Sequence, residues 1–254
     1  MVGTKLRSAS SREINLKDYI ILDGKTHGSY SYQDLLVAKH RLAVSEEVKR
    51  AAKSLGLNVE NTALEKTDHP YIGNIQWEQA LKLNLASIPG NFTLNPRQFF
   101  DFCLLFDKGI EQKGKKVYNG CGKIVAIGEL KGIRDEIYGK RDPWRGEFLD
   151  AYFQLIRGTL FYFSDHRLVN GNLQPQRIEP LEAYLMEDCY VDIKSMNRQG
   201  FPTKKLKKEI IYYWPPAADR VAGFDAGSSR VDLSCDGYPQ CSLATLGVRV
   251  ARVK

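Results

Sequence analysis

Apolar residues change their period near the middle of the chain. QWEQALKLNL (76–85) repeats them at helical spacing, and Asn95 and Pro96 supply N-cap and N1 residues for RQFFDFCLLFDKGI, the strongest helix signal. Ser45, followed by Glu46 and Glu47, opens a helix that Gly56 can end. Ser31 and Asp34 have capping-box spacing ahead of LLVAKHRLAV, which predicts another. DYIILD (18–23) is an expected first strand, and residues 1–12 an expected mobile tail. After Lys113 the runs KIVAIGEL, FLDAYFQLI, TLFYFSDH, EAYLMEDCYVDI and EIIYYW are short, aromatic and β-branched, which predicts strands. FQLI-RG-TLFYF reads as a hairpin. The order predicts an α+β fold, with helices mainly in the N-terminal half and short antiparallel strands in the C-terminal half. Neither repeat nor linker divides the chain, so 13–254 is expected to be a single domain.

The most regular pattern lies at 223–252, GFDAGSSRVDLSCDGYPQCSLATLGVRVAR. Phe224, Ala226, Val231, Leu233, Cys235 and Leu246 form an apolar frame, and Gly247-Val248-Arg249 reads as a final buried strand. Between the bars stand residues with no common chemistry: Asp225, Gly227, Ser229, Arg230, Asp232, Ser234, Asp236, Gly237, Tyr238, Cys241, Leu243 and Thr245.

Composition narrows the class. The 254 residues are 43% hydrophobic and 26% charged, as in ordinary folded proteins. The net charge of +7 invites a nucleic-acid reading. Its densest cluster, KKLKK (204–208), is better explained by a solvated turn before a strand. No run approaches the ~18 apolar residues of a membrane span. The basic N-terminus leads into no apolar segment, so cytoplasmic residence is the default expectation and export by another route the alternative.

Candidate catalytic chemistry is sparse. Five cysteines without a C-x-x-C pair argue against a disulfide scaffold or zinc site. Cys235 continues the apolar alternation and reads as an inert thiol, although a bridge to Cys241 is the alternative. The four histidines, His27, His40, His69 and His166, are not spaced as a metal pair and read as surface or turn groups. Glu187, Asp188 and Asp192 suit acid–base or cation chemistry, or equally a solvated strand end. The sequence names no catalytic group, no metal ligand and no cofactor.

Residues 221–253 contain no Lys, Glu, Met or Trp. The preceding 220 residues contain 40 of these, a rate that gives about six in 33 positions. Strand propensity explains the gap poorly, because strands disfavour Asp and Gly as well and both recur here. Randomising both adenines of an AAC or AAT codon explains it better. Such codons reach every one of the twelve interleaved residues and never specify Lys, Glu, Gln, Met or Trp, so Gln240 has to be a fixed position.

The stretch VAGFDAGSSRVDLSCDGYPQCSLATLGVRVAR resembles the variable region of proteins diversified by diversity-generating retroelements, whose reverse transcription mutates template adenines. More narrowly, it resembles the archaeal variable proteins. RGEFLDAYFQLIRGTLFYFSDHRLVNG, EPLEAYLMEDCYVDIKSMNRQGFPTKK and IIYYWPP extend the resemblance over about the last 110 residues. It implies a C-type lectin fold that presents the twelve interleaved residues to a macromolecular or cell-surface ligand, a protein above all. On that reading the chain is a monomeric binding protein that catalyses nothing, inserts into no membrane and binds no nucleic acid. LGVRVAR also resembles the GFR-type last strand of formylglycine-generating-like domains, so an enzyme of that type is the alternative, with a basic nucleic-acid-binding protein another. Glu179-Pro180 and Tyr238-Pro239-Gln240 match the calcium and sugar motif of familiar C-type lectins incompletely, so neither site is carried over.

Overall fold

The computed structural model describes residues 14–62, 69–208 and 211–254, so the tail expected at 1–12 lies outside the described residues. The chain opens with β1 (Tyr19–Leu22), the hairpin β2 (Lys25–His27) and β3 (Tyr30–Tyr32), and then β4 (Leu35–Arg41). β4 corrects the helix expected at LLVAKHRLAV. It lies between β1 and the final strand, and Leu35, Val37, Lys39 and Arg41 are all buried there. Asp34 accepts a hydrogen bond from the Gly24 N–H at 2.9 Å instead of capping a helix. Tertiary pairing overrides the local signal.

α1 (Glu46–Ser54) starts where expected, with the Ser45 side chain accepting from Val48 N–H, and Gly56 follows it at φ +67. β5 (Asn61–Thr62) and β6 (Tyr71–Ile72) lead into α2 (Trp77–Ser87). β7 (Asn91–Thr93) precedes α3 (Pro96–Glu111), whose capping box joins Asn95 to Gln98. α4 (Ile127–Tyr138) is the second correction, because KIVAIGEL was expected to be a strand. Leu130, Ile133 and Ile137 are buried at helical spacing, whereas Ile124 is exposed. Helices are therefore not confined to the N-terminal half, and strands run through the whole chain.

β8 (Arg145–Ile156) and β9 (Thr159–Ser164) form the expected hairpin. β10 (Arg167–Val169) pairs β11 (Asn172–Gln174), and β12 (Arg177–Pro180) pairs β9. Within EAYLMEDCYVDI only β13 (Cys189–Val191) is a strand. β14 (Lys205–Leu206), β15 (Ile211–Trp214), β16 (Arg220–Ala226), β17 (Val231–Gly237) and β18 (Leu246–Val253) complete the fold. The principal sheet has twelve strands and runs β1-β4-β18-β8-β16-β17-β15-β13-β14, with β7, β9 and β12 attached beside it. Two of its pairings, β18 with β8 and β15 with β17, are parallel, which corrects the expectation of antiparallel strands alone.

Neighbouring residues of a strand point to opposite faces, and the two faces meet different helices. Leu149, Phe153, Tyr213, Phe224 and Leu233 pack with Phe99, Phe102 and Phe106 of α3 and with the apolar side of α4. Phe148, Val221 and Val248 turn the other way, onto Val48 of α1 and Trp77 and Leu81 of α2. The second cluster takes no residue from β15 or β17. Among the described residues the sheet is thus sandwiched at β18–β8 and covered on one face only towards β15. Among the described residues no helix is long and apolar enough to cross a membrane.

Candidate functional site

The one-sided end of the sheet is built by the stretch with the alternating frame. Across the β16–β17 hairpin Phe224 pairs with Leu233 and Ala226 with Val231, while Asp225 pairs with Asp232 and Gly223 with Ser234. A bulge between Val221 and Gly223 resets the alternation, which sends Val221 into the α1–α2 cluster. Phe224, Ala226, Val231, Leu233 and Cys235 are at most 1% exposed. Leu246, expected with them, is only half-buried: it begins β18, where the loop enters the sheet, and rests on the α1–α2 cluster. None of the twelve interleaved residues is buried. Ser229, Asp236, Tyr238 and Leu243 are exposed, and Asp225, Gly227, Arg230, Asp232, Ser234, Gly237, Cys241 and Thr245 are half-buried.

The parallel strand β15 extends this face. Its register sets Tyr212 beside Asp232 and Trp214 beside Ser234, and β13 adds Tyr190 beside Tyr212. These aromatic rings have neighbouring centroids 5.0 and 5.3 Å apart. The Arg230 guanidinium lies 4.4 Å from the centre of Tyr212, within cation–π range, and its Nε is 2.8 Å from Asp232 Oδ1. Trp214 Nε1 donates to the same oxygen at 3.3 Å, and the Tyr212 hydroxyl donates to Asp188. Arg220 stacks on exposed Tyr238 at 3.8 Å. Sequence reading missed the aromatic row, although EIIYYW carries the signal: Tyr212 and Trp214 are out of phase with buried Ile211 and Tyr213.

Three carboxylates share this region. Burial, and then the charge of Asp232, push Asp225 up to about 7, against a Ser234 hydroxyl that donates to it at 3.3 Å. Burial likewise raises Asp232 and Asp236. Near neutral pH Asp225 is therefore partly protonated and can donate as well as accept a hydrogen bond.

The loop 238–245 is held by its backbone. Trp77 N–H donates to Pro239 O at 3.2 Å, Asn74 N–H to Leu243 O at 3.0 Å, and Gly146 N–H to Thr245 O at 2.9 Å. The Tyr71 hydroxyl donates to Ala244 O at 2.8 Å. A Cβ on Gly73 would stand 2.5 Å from Ala244 O, so a glycine is needed for this approach. The holding groups all lie outside the loop, and its side chains contribute none of these bonds.

Other sequence candidates have structural places. Lys204, Lys205, Lys207 and Lys208 are exposed on or beside edge strand β14. Glu187 and Asp188 are exposed, the first paired with Lys205, and Asp192 caps a short 3-10 turn. All five cysteines are free. The histidines depart from the surface or turn reading. His166 is buried against Asp150, His27 is half-buried against Asp101 at 2.7 Å, and only His69 is exposed. His40 Nδ1 lies 2.5 Å from Glu136 Oε2, and its ring stacks on His69. These three residues were not spaced as metal ligands in sequence, yet the fold gathers their donor atoms within 4.8 Å of one another.

Two cavities of about 410 and 450 Å³ accompany the fold, one beside His40 and Glu136 and one between Asp107, Tyr138 and Ile193. Neither is lined by any of the twelve interleaved residues. Comparison with protein-family models, with curated proteins and with solved structures finds no match to this chain.

Proposed function

We propose that this chain is a ligand-binding protein of C-type-lectin type, whose twelve interleaved residues are diversified by adenine-directed retroelement mutagenesis on a fixed frame. The observation that carries the reading is the division within one hairpin. Frame residues Phe224 to Cys235 are sealed in the core, while not one of the twelve alternating residues is buried. The loop adds to it, because its hydrogen bonds to Asn74, Trp77 and Gly146 all run through its backbone. A surface so arranged accepts side-chain changes without opening cavities or stranding buried polar groups. The logic is that of antibody loops on a rigid framework.

The chemistry of this particular surface favours a protein ligand. Tyr190, Tyr212, Trp214 and Tyr238 present amphipathic area, and Arg220 and Arg230 stack on it, which are the residue types that dominate protein–protein hot spots. Three acids interrupt the basic character of the chain at this place, which disfavours a phosphate backbone as ligand.

The decisive experiment reads the surrounding DNA. The expected result is a near-copy of the 221–253 coding stretch, differing from it at adenines, beside a reverse transcriptase gene. Mismatches spread over all four bases would overturn the proposal. A salt titration with mixed DNA and RNA supplies a second test: tight binding that weakens steeply with salt would place the function with nucleic acid instead.

A further inference from the structure

His40 lies on β4, His69 just before β6 and Glu136 on α4, so three separate segments deliver these side chains to one point. Their donor atoms lie within 4.8 Å of one another, and the His40 and His69 rings are stacked with centroids 3.4 Å apart. Ligands on one tetrahedral zinc ion lie roughly 3.3 Å apart, so modest side-chain rotations bring this set into range. We propose that His40, His69 and Glu136 bind a zinc ion.

Two imidazoles and one carboxylate form a set that suits zinc, whereas magnesium and calcium require oxygen ligands. The surroundings have the character of an outer shell. Arg249 Nη2 stands 3.7 Å from the second oxygen of Glu136 and is itself fixed by Glu147, which orients the carboxylate. The cavity of about 410 Å³ opens beside the three residues, and its other charged lining residues are Glu129, Asp135 and Arg141. Three protein ligands facing an open cavity leave a coordination position for water or for an anionic group. The ion would tie the segment before β6 to β4 and α4, and Asn74 and Trp77, just beyond that segment, hold the 238–245 loop. The inference stands apart from the binding surface, because none of the twelve interleaved residues lines this cavity.

The test uses the untagged chain, stripped with a chelator and titrated with zinc chloride by calorimetry, then with cobalt(II) by absorption. The expected result is one zinc per chain, a raised Tm on addition of zinc, and a cobalt spectrum without a thiolate charge-transfer band. His69→Ala changes an exposed residue and should keep the Tm of the stripped protein while weakening zinc at least about tenfold. Glu136→Gln, assayed in parallel, should weaken it comparably. The proposal is overturned if the wild-type chain takes up less than one equivalent, if His69→Ala binds zinc as tightly as wild type, or if a thiolate band shows that cysteine holds the metal.

Discussion

The two ends of the sheet handle charge in opposite ways. At β8–β18, where helices cover both faces, Arg249 is buried and paired with Glu147, with further hydrogen bonds to the carbonyls of Ala38 and Lys39. At β16–β17 one face is open, and Arg230, Asp225, Asp232 and Asp236 keep contact with solvent. The first arrangement tolerates no missing partner, since a lone ion in a low-dielectric interior has nothing to replace it. The second tolerates more, because water reaches exposed groups such as Asp236 and can take over bonds that a substitution removes there. Permissiveness in this fold follows from which face lacks a second layer.

The largest effect should come from the sandwiched end. Arg249→Met leaves Glu147 buried without its partner and should cost about 3–5 kcal/mol in urea denaturation. A loss under 1 kcal/mol would dissolve the contrast between the two ends. Next comes the inner face of the hairpin: Leu233→Ala opens a cavity against α3 and α4 and should cost about 2–4 kcal/mol.

A smaller, pH-dependent effect belongs to Asp225. Its folded pKa of about 7 exceeds the unfolded value near 3.9, so the folded state holds the proton more tightly. The contribution of the group to stability is present below about pH 4 and is lost as pH rises towards 7. Asp225→Asn should therefore gain on wild type across that window and level off above it. Denaturation midpoints at several pH values measure the difference, and parallel curves would show that Asp225 ionises normally. Smallest of all, Ser229→Tyr and Ser234→Asn should each shift stability by less than ~0.5 kcal/mol. Either one unfolding the protein would mean that the open face is read by the fold after all.

Local chemistry was legible in the sequence and convergence was not. Asn95-Pro96 and Ser45 fix helix starts through bonds within three residues, so both could be read from spacing. The inward phase of Phe224, Val231 and Leu233 could be read because strand alternation is local too. LLVAKHR failed for the opposite reason: its partners, β1 and β18, include a strand more than 200 residues away. In KIVAIGEL the apolar run hid the helical spacing of Leu130, Ile133 and Ile137, two of which lie beyond the run. The grouping of His40, His69 and Glu136, and the docking of Tyr212 and Trp214 beside β17, arise only when distant segments pair. Single-sequence spacing carries no record of such meetings.

The position of β18 bears on the reading frame of the gene. β18 follows the 238–245 loop in sequence, yet it lies between β4 and β8 and joins the two parts of the sheet. A base substitution in one of the twelve interleaved codons changes one side chain that is not buried and leaves that junction intact. A single-base insertion or deletion there rewrites everything downstream, including Val248, Arg249 and Ala251, and leaves Glu147 and the exposed edges of β4 and β8 without partners. Under the proposed diversification, folding would act as a frame check on this stretch. Exchanges at the twelve interleaved codons would pass that check, and products of slippage would fail it.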